Sequence, residues 1–266
     1  MKIQKFQGED VNFLETFQPP GWQDIVPIFK TYTESAFCFP IKLIADNQIV
    51  GIGSTIIHGD VAWLAHIIVA PEYRKQGFGQ LITQHLIDSL QSTKCETIYL
   101  IATDLGAPVY QKVGFETETE YLFYETPHNV PNWEISNDLQ RINMVYYNQI
   151  ARLDREVSGE NRFFEIESFL EDGYVYLRDE TVQGYFLPGL GDGLIIANSG
   201  TAGIELMKCR LASKKTAAFP QDNNRAKDFV LNNNFNEIMK VKRMRLGQPR
   251  KVLLSNIFNR IGGNIG

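Results

Sequence analysis

The stretch from Ile67 to Gly79 holds the residues of this chain that are best suited to bind a ligand. It begins as an apolar strand, passes through Pro71, and reaches Gly77 and Gly79 where an amphipathic helix starts. The first N–H groups of a helix have no acceptor within it, and they lie at the positive end of its dipole. Glycines at this place let a phosphate approach the main chain. The spacing therefore predicts a diphosphate site at the start of the helix.

Backbone amides and two basic side chains would form this site. The amides expected to donate to phosphate oxygens are those of Gln76, Gly77, Phe78, Gly79 and Gln80. Arg74 and Lys75 would add positive charge beside them. A plain strand–turn–helix joint is the alternative. A dinucleotide fingerprint would need a third glycine and an acidic residue at the expected distance, and a P-loop would end in Lys-Ser or Lys-Thr; this stretch has neither.

Two motifs in the first half carry a resemblance to a known family. They read Val69-x-Pro71-x-Tyr73-Arg74-x-x-Gly77-x-Gly79 and Tyr110-x-Lys112-x-Gly114-Phe115. With them the chain resembles the GNAT family of acyl-CoA N-acyltransferases over about residues 40–125. The resemblance implies acetyl-CoA (coenzyme A) as the donor, held in a V-shaped gap between strands 61–69 and 97–102. It also implies cofactor contacts from the main chain of Ile67, Ile68 and Val69, and from Thr103, Pro108 and Tyr110.

The expected reaction is attack of a neutral amine on a thioester, which needs a base for the amine and an acid for the leaving thiolate. Tyr110 matches the acid position of the family. A phenol near ~10 can donate to a thiolate whose thiol titrates near ~8.5; simple packing on the cofactor is the alternative. His66 lies beside the gap in an apolar strand, and its ordinary pKa suits proton transfer. It is the candidate base, against the alternatives of a core histidine or a water chain. No metal site is predicted.

Composition and charge limit the partners. Residues 1–135 carry 8 basic and 16 acidic residues, a net charge of −8, whereas residues 136–266 carry 18 and 15, a net charge of +3. The acidic front half argues against nucleic acid and mildly favours a cationic substrate, with a solvated acidic surface as the plainer interpretation. No apolar run reaches the length of a membrane span, and no secretory segment opens the chain. Three distant cysteines fit reduced thiols in the cytoplasm. The oligomeric state is not indicated.

The two halves repeat one order of elements, namely three strands, a helix, a strand, a helix and a strand. In the first half, periodicity predicts helices over 9–17 and 22–36, strands over 41–45, 49–57 and 61–69, a helix over 77–91, a strand over 97–102, a helix over 107–113 and a strand over 115–125. After a linker at 127–133, the second half has predicted helices over 139–155 and 162–170, strands over 173–178, 182–187 and 193–197, a helix over 200–212, a strand over 215–219, a helix over 224–233 and a strand over 235–245. Residues 251–266 are expected to form a final strand or tail.

The resemblance extends to tandem GNAT proteins, in which a catalytic half precedes a degenerate one. The expected fold class is α/β (α+β), with tandem GNAT-like folds that are each a mixed, mostly antiparallel twisted sheet flanked by helices. The expected domains are 1–130, catalytic, and 136–266, degenerate. The second half lacks Arg-x-x-Gly-x-Gly, offers Phe229 or Val230 in place of Tyr110, and has Asn234 in place of Gly114. It is expected to complete the fold and the acceptor pocket.

The function predicted from these observations is acetyl transfer from acetyl-CoA to the amine of a small molecule. Acetylation of a protein N-terminus or lysine is one alternative, and a non-catalytic acyl-CoA-binding sensor is another. The acceptor pocket is expected to involve loops 19–37 and 103–106, which carry no recognisable code for a particular amine.

Overall fold

A computed structural model describes residues 1–128 and 133–266 and divides the chain into two units. Unit 1 comprises Met1–Glu116, Met244–Gln248 and Gly263–Ile265; unit 2 comprises Thr117–Arg243, Pro249–Gly262 and Gly266. The predicted linker at 127–133 falls largely on residues 129–132, which lie outside the described residues. The division into domains 1–130 and 136–266 stays a prediction.

From α1 onward, unit 1 follows the predicted order of elements. In chain order it contains β1 (Lys2–Lys5), α1 (Ile25–Glu34), β2 (Cys38–Ala45), β3 (Gln48–His58), β4 (Val61–Val69), α2 (Phe78–Ser89), β5 (Thr97–Ala102) and α3 (Ala107–Gln111). The strands and helices predicted from 41 to 113 are confirmed to within about three residues. The helical prediction over 9–17 is wrong in type, because Gly8–Phe17 is a 3-10 helix, and β1 was not predicted.

The sheet of unit 1 carries α2 at close range. Its strands lie in the order β1-β2-β3-β4-β5, antiparallel except for the parallel pair β4 and β5. A Cβ at Gly51 would lie 2.6 Å from Ile82 Cδ1, and one at Gly53 would lie 3.0 Å from Ile82 Cγ2. These glycines of β3 let the apolar face of α2, with Ile82 and Leu86, pack directly on the strand. The start of α2 is thereby fixed against the sheet.

The remaining elements lie mostly in unit 2. They are β6 (Glu116–Glu125), β7 (Leu139–Arg141), α4 (Tyr147–Ser158), α5 (Phe163–Ile166), β8 (Tyr174–Arg178), β9 (Thr181–Leu187), β10 (Leu194–Ala197), α6 (Gly200–Leu211), β11 (Thr216–Pro220), α7 (Asn224–Asn232), β12 (Asn236–Gly247) and β13 (Ile257–Asn259). Five of the strands form an antiparallel sheet in the order β13-β10-β9-β8-β7, and β6 pairs antiparallel with β11. From Met244 onward β12 belongs to unit 1.

Two helical predictions in the second half need correction. The helix predicted over 139–155 is wrong at its start, because Leu139–Arg141 forms β7, with Leu139 opposite Tyr176 of β8. The helix predicted over 162–170 is short, since α5 ends at Ile166 and continues as the 3-10 turn Glu167–Phe169. In the first case pairing with a neighbouring strand outweighs the local helical pattern, which propensity cannot reveal.

A buried ion pair ties the end of α4 to the core of unit 2. Arg162 donates to both carboxylate oxygens of Asp154, at 3.0 and 3.1 Å, and Tyr185 donates its hydroxyl to Asp154 Oδ1 at 2.6 Å. Arg162 is 4% exposed. Burial alone would lower the pKa of Arg162, but the charges of Asp154 and Glu160 raise it overall. The pair is therefore charged and fully desolvated, so each partner depends on the other.

Replacing Arg162 with leucine should lower the free energy of unfolding by roughly 3–5 kcal/mol, because it leaves the carboxylate of Asp154 buried without its cation. Urea titration followed by circular dichroism measures the loss. Arg155→Leu is the matched control, since Arg155 makes an exposed hydrogen bond to Asn161, and its cost should stay below about 1 kcal/mol. Equal losses in the two variants would show that Asp154 needs no charged partner.

Candidate active site

The strands β4 and β5 pair over only part of their length. The parallel ladder joins Val61 to Thr97, Ala62 to Ile98 and Trp63 to Tyr99, and then ends. Beyond it β4 continues to Val69, paired with β3 on its other side. In the part of the chain that the structure describes, the β5-facing edge of 64–69 therefore has no strand partner in unit 1, as the expected gap requires. Ile67, Ile68 and Val69 lie on this edge.

The loop after β4 places backbone donors at the start of α2. Gly77 precedes the helix with a φ of +85°, a left-handed conformation that favours glycine, and Lys75 is also left-handed at +63°. Among the described residues, the N–H groups from Gln76 to Gln80 have no assigned acceptor. Arg74 donates its Nε to the carbonyl of Val69 at 3.1 Å, which holds the loop against the end of β4. This arrangement suits an anion.

Contacts of Gly79 bring this loop together with α3. A Cβ added at Gly79 would lie 3.8 Å from Val109 and 4.0 Å from Val69, so ordinary contact separates the three residues. The side chain of Thr103 accepts a hydrogen bond from the N–H of Gly106 at 3.3 Å and so fixes the turn into α3. Pro108 occupies the first turn of that helix. The predicted cofactor-binding residues of β4, of the loop and of α3 thus form one neighbourhood.

Tyr110 lies on α3 with its ring against Gly106 and Phe115. A Cβ at Gly106 would lie 3.2 Å from Tyr110 Cε2, and the ring of Phe115 packs edge-on at 6.2 Å. Burial raises the pKa of Tyr110 to about 12. The phenol is therefore protonated at every ordinary assay pH, which makes it a hydrogen-bond donor.

His66 occupies an irregular place in β4. Because Ile52 pairs with Ile68 and Ser54 with Ala65, His66 and Ile67 together face Gly53 in a β-bulge. His66 has a φ of +51°, which is unusual for a residue other than glycine. A bulge with such a conformation re-aims one side chain of a strand, and conformations of this kind concentrate at functional sites.

The imidazole of His66 is held by two residues that the sequence did not indicate. The Tyr32 hydroxyl and His66 Nδ1 share a hydrogen bond of 3.0 Å, and Asn264 donates its amide to the same hydroxyl at 3.1 Å. Burial lowers the pKa of His66 to about 4, so the ring is neutral at pH 7. Among the described residues, no hydrogen bond or ring contact joins His66 to Tyr110. No local pattern points to Asn264, because it meets Tyr32 from a distant part of the chain.

Unit 2 lacks this site for reasons visible in its own elements. The hydrogen bond from Phe235 N to Val230 O repeats the one from Phe115 N to Tyr110 O, so Val230 takes the place of Tyr110. At the start of α6, the side chain of Ser199 accepts the N–H of Ala202. The second half therefore repeats the fold without the phenol.

The edge of β10, the counterpart of β4, is also occupied. β13 pairs with it, placing Ile195 opposite Asn259 and Ile196 opposite Ile257. Asn259 donates to the carbonyl of Gly193 at 2.8 Å and accepts from the N–H of Ala218 in β11 at 2.9 Å. The chain's own strand thus fills the gap that stays open beside β4.

A splayed pair of parallel strands followed by a glycine loop at a helix start defines an acyl-CoA-binding class of fold. The model of the Acetyltransferase (GNAT) family matches residues 7–115. The chain belongs to this family, and the prediction of family membership is confirmed.

Several relatives match about a third of the chain. It is 30% identical over 82 residues to the ribosomal protein bS18-alanine N-acetyltransferase of Salmonella typhimurium, covering 30% of this chain and 55% of that protein. It is also 30% identical over 103 residues to the uncharacterized protein YyaT of Bacillus subtilis, covering 38% of this chain and 70% of that protein. The chain thus spans little more than half the length of the first of these relatives.

Solved structures match over both halves. A putative acetyltransferase from Pyrococcus horikoshii aligns with a TM-score of 0.82 at 19% identity, covering 100% of this chain and 95% of that one. A tandem GNAT protein from the clavulanic acid biosynthesis pathway aligns at 0.64 and 12% identity, covering 94% and 99%. These likenesses concern the fold, and the predicted class of tandem GNAT-like folds is confirmed. No helix in the described ranges is long and apolar enough to cross a membrane.

Alanine substitutions at Gly77 and Gly79 should distinguish the effect of each glycine on stability from its effect on coenzyme A binding. Gly77→Ala places a Cβ on a left-handed backbone and should lower the free energy of unfolding by roughly 1–2 kcal/mol. Gly79→Ala has room and lies in a helix, so it should be neutral or stabilising by up to about 1 kcal/mol. If phosphate approaches this backbone, Gly79→Ala should nevertheless weaken coenzyme A binding at least tenfold in calorimetry. Unchanged affinity in Gly79→Ala would exclude that approach.

The lowered pKa of His66 should appear in the pH dependence of stability. The unfolded chain binds a proton near its ordinary value of ~6.5, whereas the folded protein binds it only near about 4. Stability is therefore lost as pH falls from about 6.5 to 4, by up to roughly 3 kcal/mol from this group. His66→Gln should remove that share of the slope in urea titrations at several pH values. An identical pH slope in wild type and variant would show that His66 titrates normally.

Proposed function

We propose that this protein is an acetyl-CoA-dependent N-acetyltransferase that transfers an acetyl group to the amine of a small molecule. The observation that carries the proposal is the convergence, in unit 1, of the open edge of β4, the donor-rich start of α2 and the Tyr110-bearing helix α3. Family membership supports acetyl transfer as the chemistry. The geometry supports binding of a diphosphate and an extended acyl arm side by side.

The donor would be held largely by main-chain groups. The amides from Gln76 to Gln80 would donate to the diphosphate, with Arg74 and Lys75 beside them. The edge at Ile67, Ile68 and Val69 would pair with the pantetheine arm, much as a strand adds to an exposed sheet edge. Thr103, Pro108 and Tyr110 would border it on α3. When bound, acetyl-CoA supplies the acyl group and a good leaving thiol.

Tyr110 would assist departure of the thiolate. With a phenol pKa of about 12 and a thiol pKa near ~8.5, full proton transfer is uphill by roughly 5 kcal/mol. Tyr110 therefore acts best by donating a hydrogen bond to the sulfur as charge develops, while solvent completes the protonation. This role needs the hydroxyl and little else of the side chain.

His66 would accept a proton from the amine nitrogen, but only after attack on the thioester has begun. A neutral imidazole with a pKa of about 4 is too weak a base to deprotonate an ordinary ammonium. The nitrogen becomes a far stronger acid as it acylates, and at that stage His66 is able to accept the proton directly or through water. The amine would lose its ammonium proton to water before it attacks, because His66 is too weak a base to remove it.

Acetylation of a protein N-terminus is the second candidate function. It is favoured by one observation, namely that relatives at 30–32% identity are ribosomal protein bS18-alanine N-acetyltransferases. A non-catalytic acyl-CoA sensor is less well supported, because Tyr110 is present in unit 1 and replaced in unit 2. A cytoplasmic location, in line with three free cysteines, belongs to the same proposal.

The proposal is tested by release of free thiol from acetyl-CoA in the presence of small amines, amino acids and peptides with an N-terminal alanine. Turnover with a small amine supports the first function, and turnover with the peptides alone supports the second. Binding of acetyl-CoA without turnover on any acceptor would favour the sensor. Absence of any heat with coenzyme A in calorimetry would reject all three.

Tyr110→Phe removes the hydroxyl and keeps the ring, so it should distinguish a role of Tyr110 in assisting the leaving thiolate from a role in packing on the cofactor. We expect kcat to fall about 10²-fold or more, in line with loss of acid assistance, while the Kd of coenzyme A changes less than about threefold. Tyr99→Phe serves as a control for loss of a buried hydroxyl in the same unit. A normal kcat in Tyr110→Phe would assign the ring to packing alone.

A further inference from the structure

An exposed tryptophan stands beside the candidate catalytic histidine. Trp22 is 45% exposed, and its ring lies 6.0 Å from that of His66 at an angle of 69°. Both residues belong to unit 1. An isolated exposed apolar residue needs no explanation, but a tryptophan in edge contact with a conformationally unusual histidine at a proposed active site does.

The loop that carries Trp22 is held in one shape by a single side chain. Gln18 donates its amide to the carbonyls of Pro19, Trp22 and Gln23, each at 3.2 Å, and accepts from the N–H of Ile25 at 3.1 Å. Gly21 supplies a left-handed φ of +76° in the turn. These bonds order a segment that has no regular secondary structure, so Trp22 is presented in advance of any ligand.

Two buried aromatic rings stand behind His66. Phe29 and Tyr32 are buried and pack on His66, with ring centroids at 5.8 and 5.6 Å. His66 itself is neutral at pH 7, because burial lowers its pKa. A cation that approaches the exposed indole of Trp22 therefore meets no repulsion from the imidazole of His66. The net charge of −8 over residues 1–135 acts in the same direction.

We propose that Trp22 is a specificity-determining residue that binds the acceptor amine in its ammonium form through a cation–π contact beside His66. Indole is the best side chain for such contacts, and partial exclusion of water strengthens them. The proposal rests on the proposed function, since it assumes that the acceptor reaches His66. It names the acceptor class as amines that carry a positive charge at neutral pH, in preference to uncharged apolar compounds.

The test compares wild type with Trp22→Phe and Trp22→Leu, using benzylamine as the probe and benzyl alcohol as its uncharged counterpart. With the coenzyme A complex, calorimetry should detect binding of benzylamine to wild type, and Trp22→Leu should raise its apparent Kd at least tenfold. Trp22→Phe should keep part of the affinity. Where benzylamine is acetylated, its KM should rise in parallel while kcat changes little.

Phe39→Leu is the matched control, because Phe39 is 49% exposed on β2 and makes no assigned ring contact with His66. It should bind benzylamine as wild type does. Equal affinity of wild type for benzyl alcohol, or unchanged affinity in Trp22→Leu, would overturn the proposal. The Kd of coenzyme A, measured on the same variants, should not change. If wild type does not bind coenzyme A, the proposed function is wrong. Benzylamine binding to the free protein, compared between wild type and Trp22→Leu, would then still decide whether Trp22 binds the amine.

Discussion

The end of the hydrogen-bonded ladder between β4 and β5 is the feature on which the site of unit 1 depends. A strand has donors and acceptors along both edges, and among the described residues β4 beyond Trp63 pairs as a strand with β3 alone. Unpaired backbone groups persist only where water or a ligand reaches them. The start of α2 and the turn into α3 meet the end of this edge at Val69, Gly79 and Val109. The separation of β4 from β5 beyond Trp63 therefore determines where an extended ligand would lie along β4 and where its charged end would meet the start of α2.

Unit 2 shows what the same fold does when that edge is closed. There β13 pairs with β10, and the amide of Asn259 bridges to Gly193 and Ala218. Phe258 of β13 packs against α6 at Gly203. A side chain at this position would not fit, because a Cβ at Gly203 would lie 2.2 Å from the ring of Phe258. The side chain of Ser199 accepts the N–H of Ala202, so one donor at the start of α6 is satisfied within the chain, as the edge of β10 is. The loss of Tyr110, replaced by Val230, accompanies this closure.

Local patterns in the sequence predicted the strands and helices from 41 to 113 and the loop between β4 and α2, because glycine positions and apolar periodicity act over a few residues. They did not predict β7 or the pairing of β13, which depend on strands distant in the chain. The chemical state of His66 was equally hidden. The sequence shows that residue 66 is a histidine in a predicted strand. The β-bulge at His66, its hydrogen bond to Tyr32 and its lowered pKa depend on packing with distant residues, so the sequence does not show them. Trp22 fell within the loop expected to shape the acceptor pocket, yet nothing local marked it.

The properties of His66 are consistent with one another when its neighbours are considered together. A left-handed φ in a strand costs of order 1 kcal/mol or more, so surrounding contacts must hold it. Tyr32 supplies one such contact, and Asn264 orients the hydroxyl of Tyr32. The buried surroundings that fix the ring also keep it uncharged, which removes repulsion toward a protonated amine beside Trp22. Because His66 is held in one position and its pKa is low, it is better suited to accept a proton from the amine after the carbon–nitrogen bond has begun to form than to deprotonate an ammonium at neutral pH.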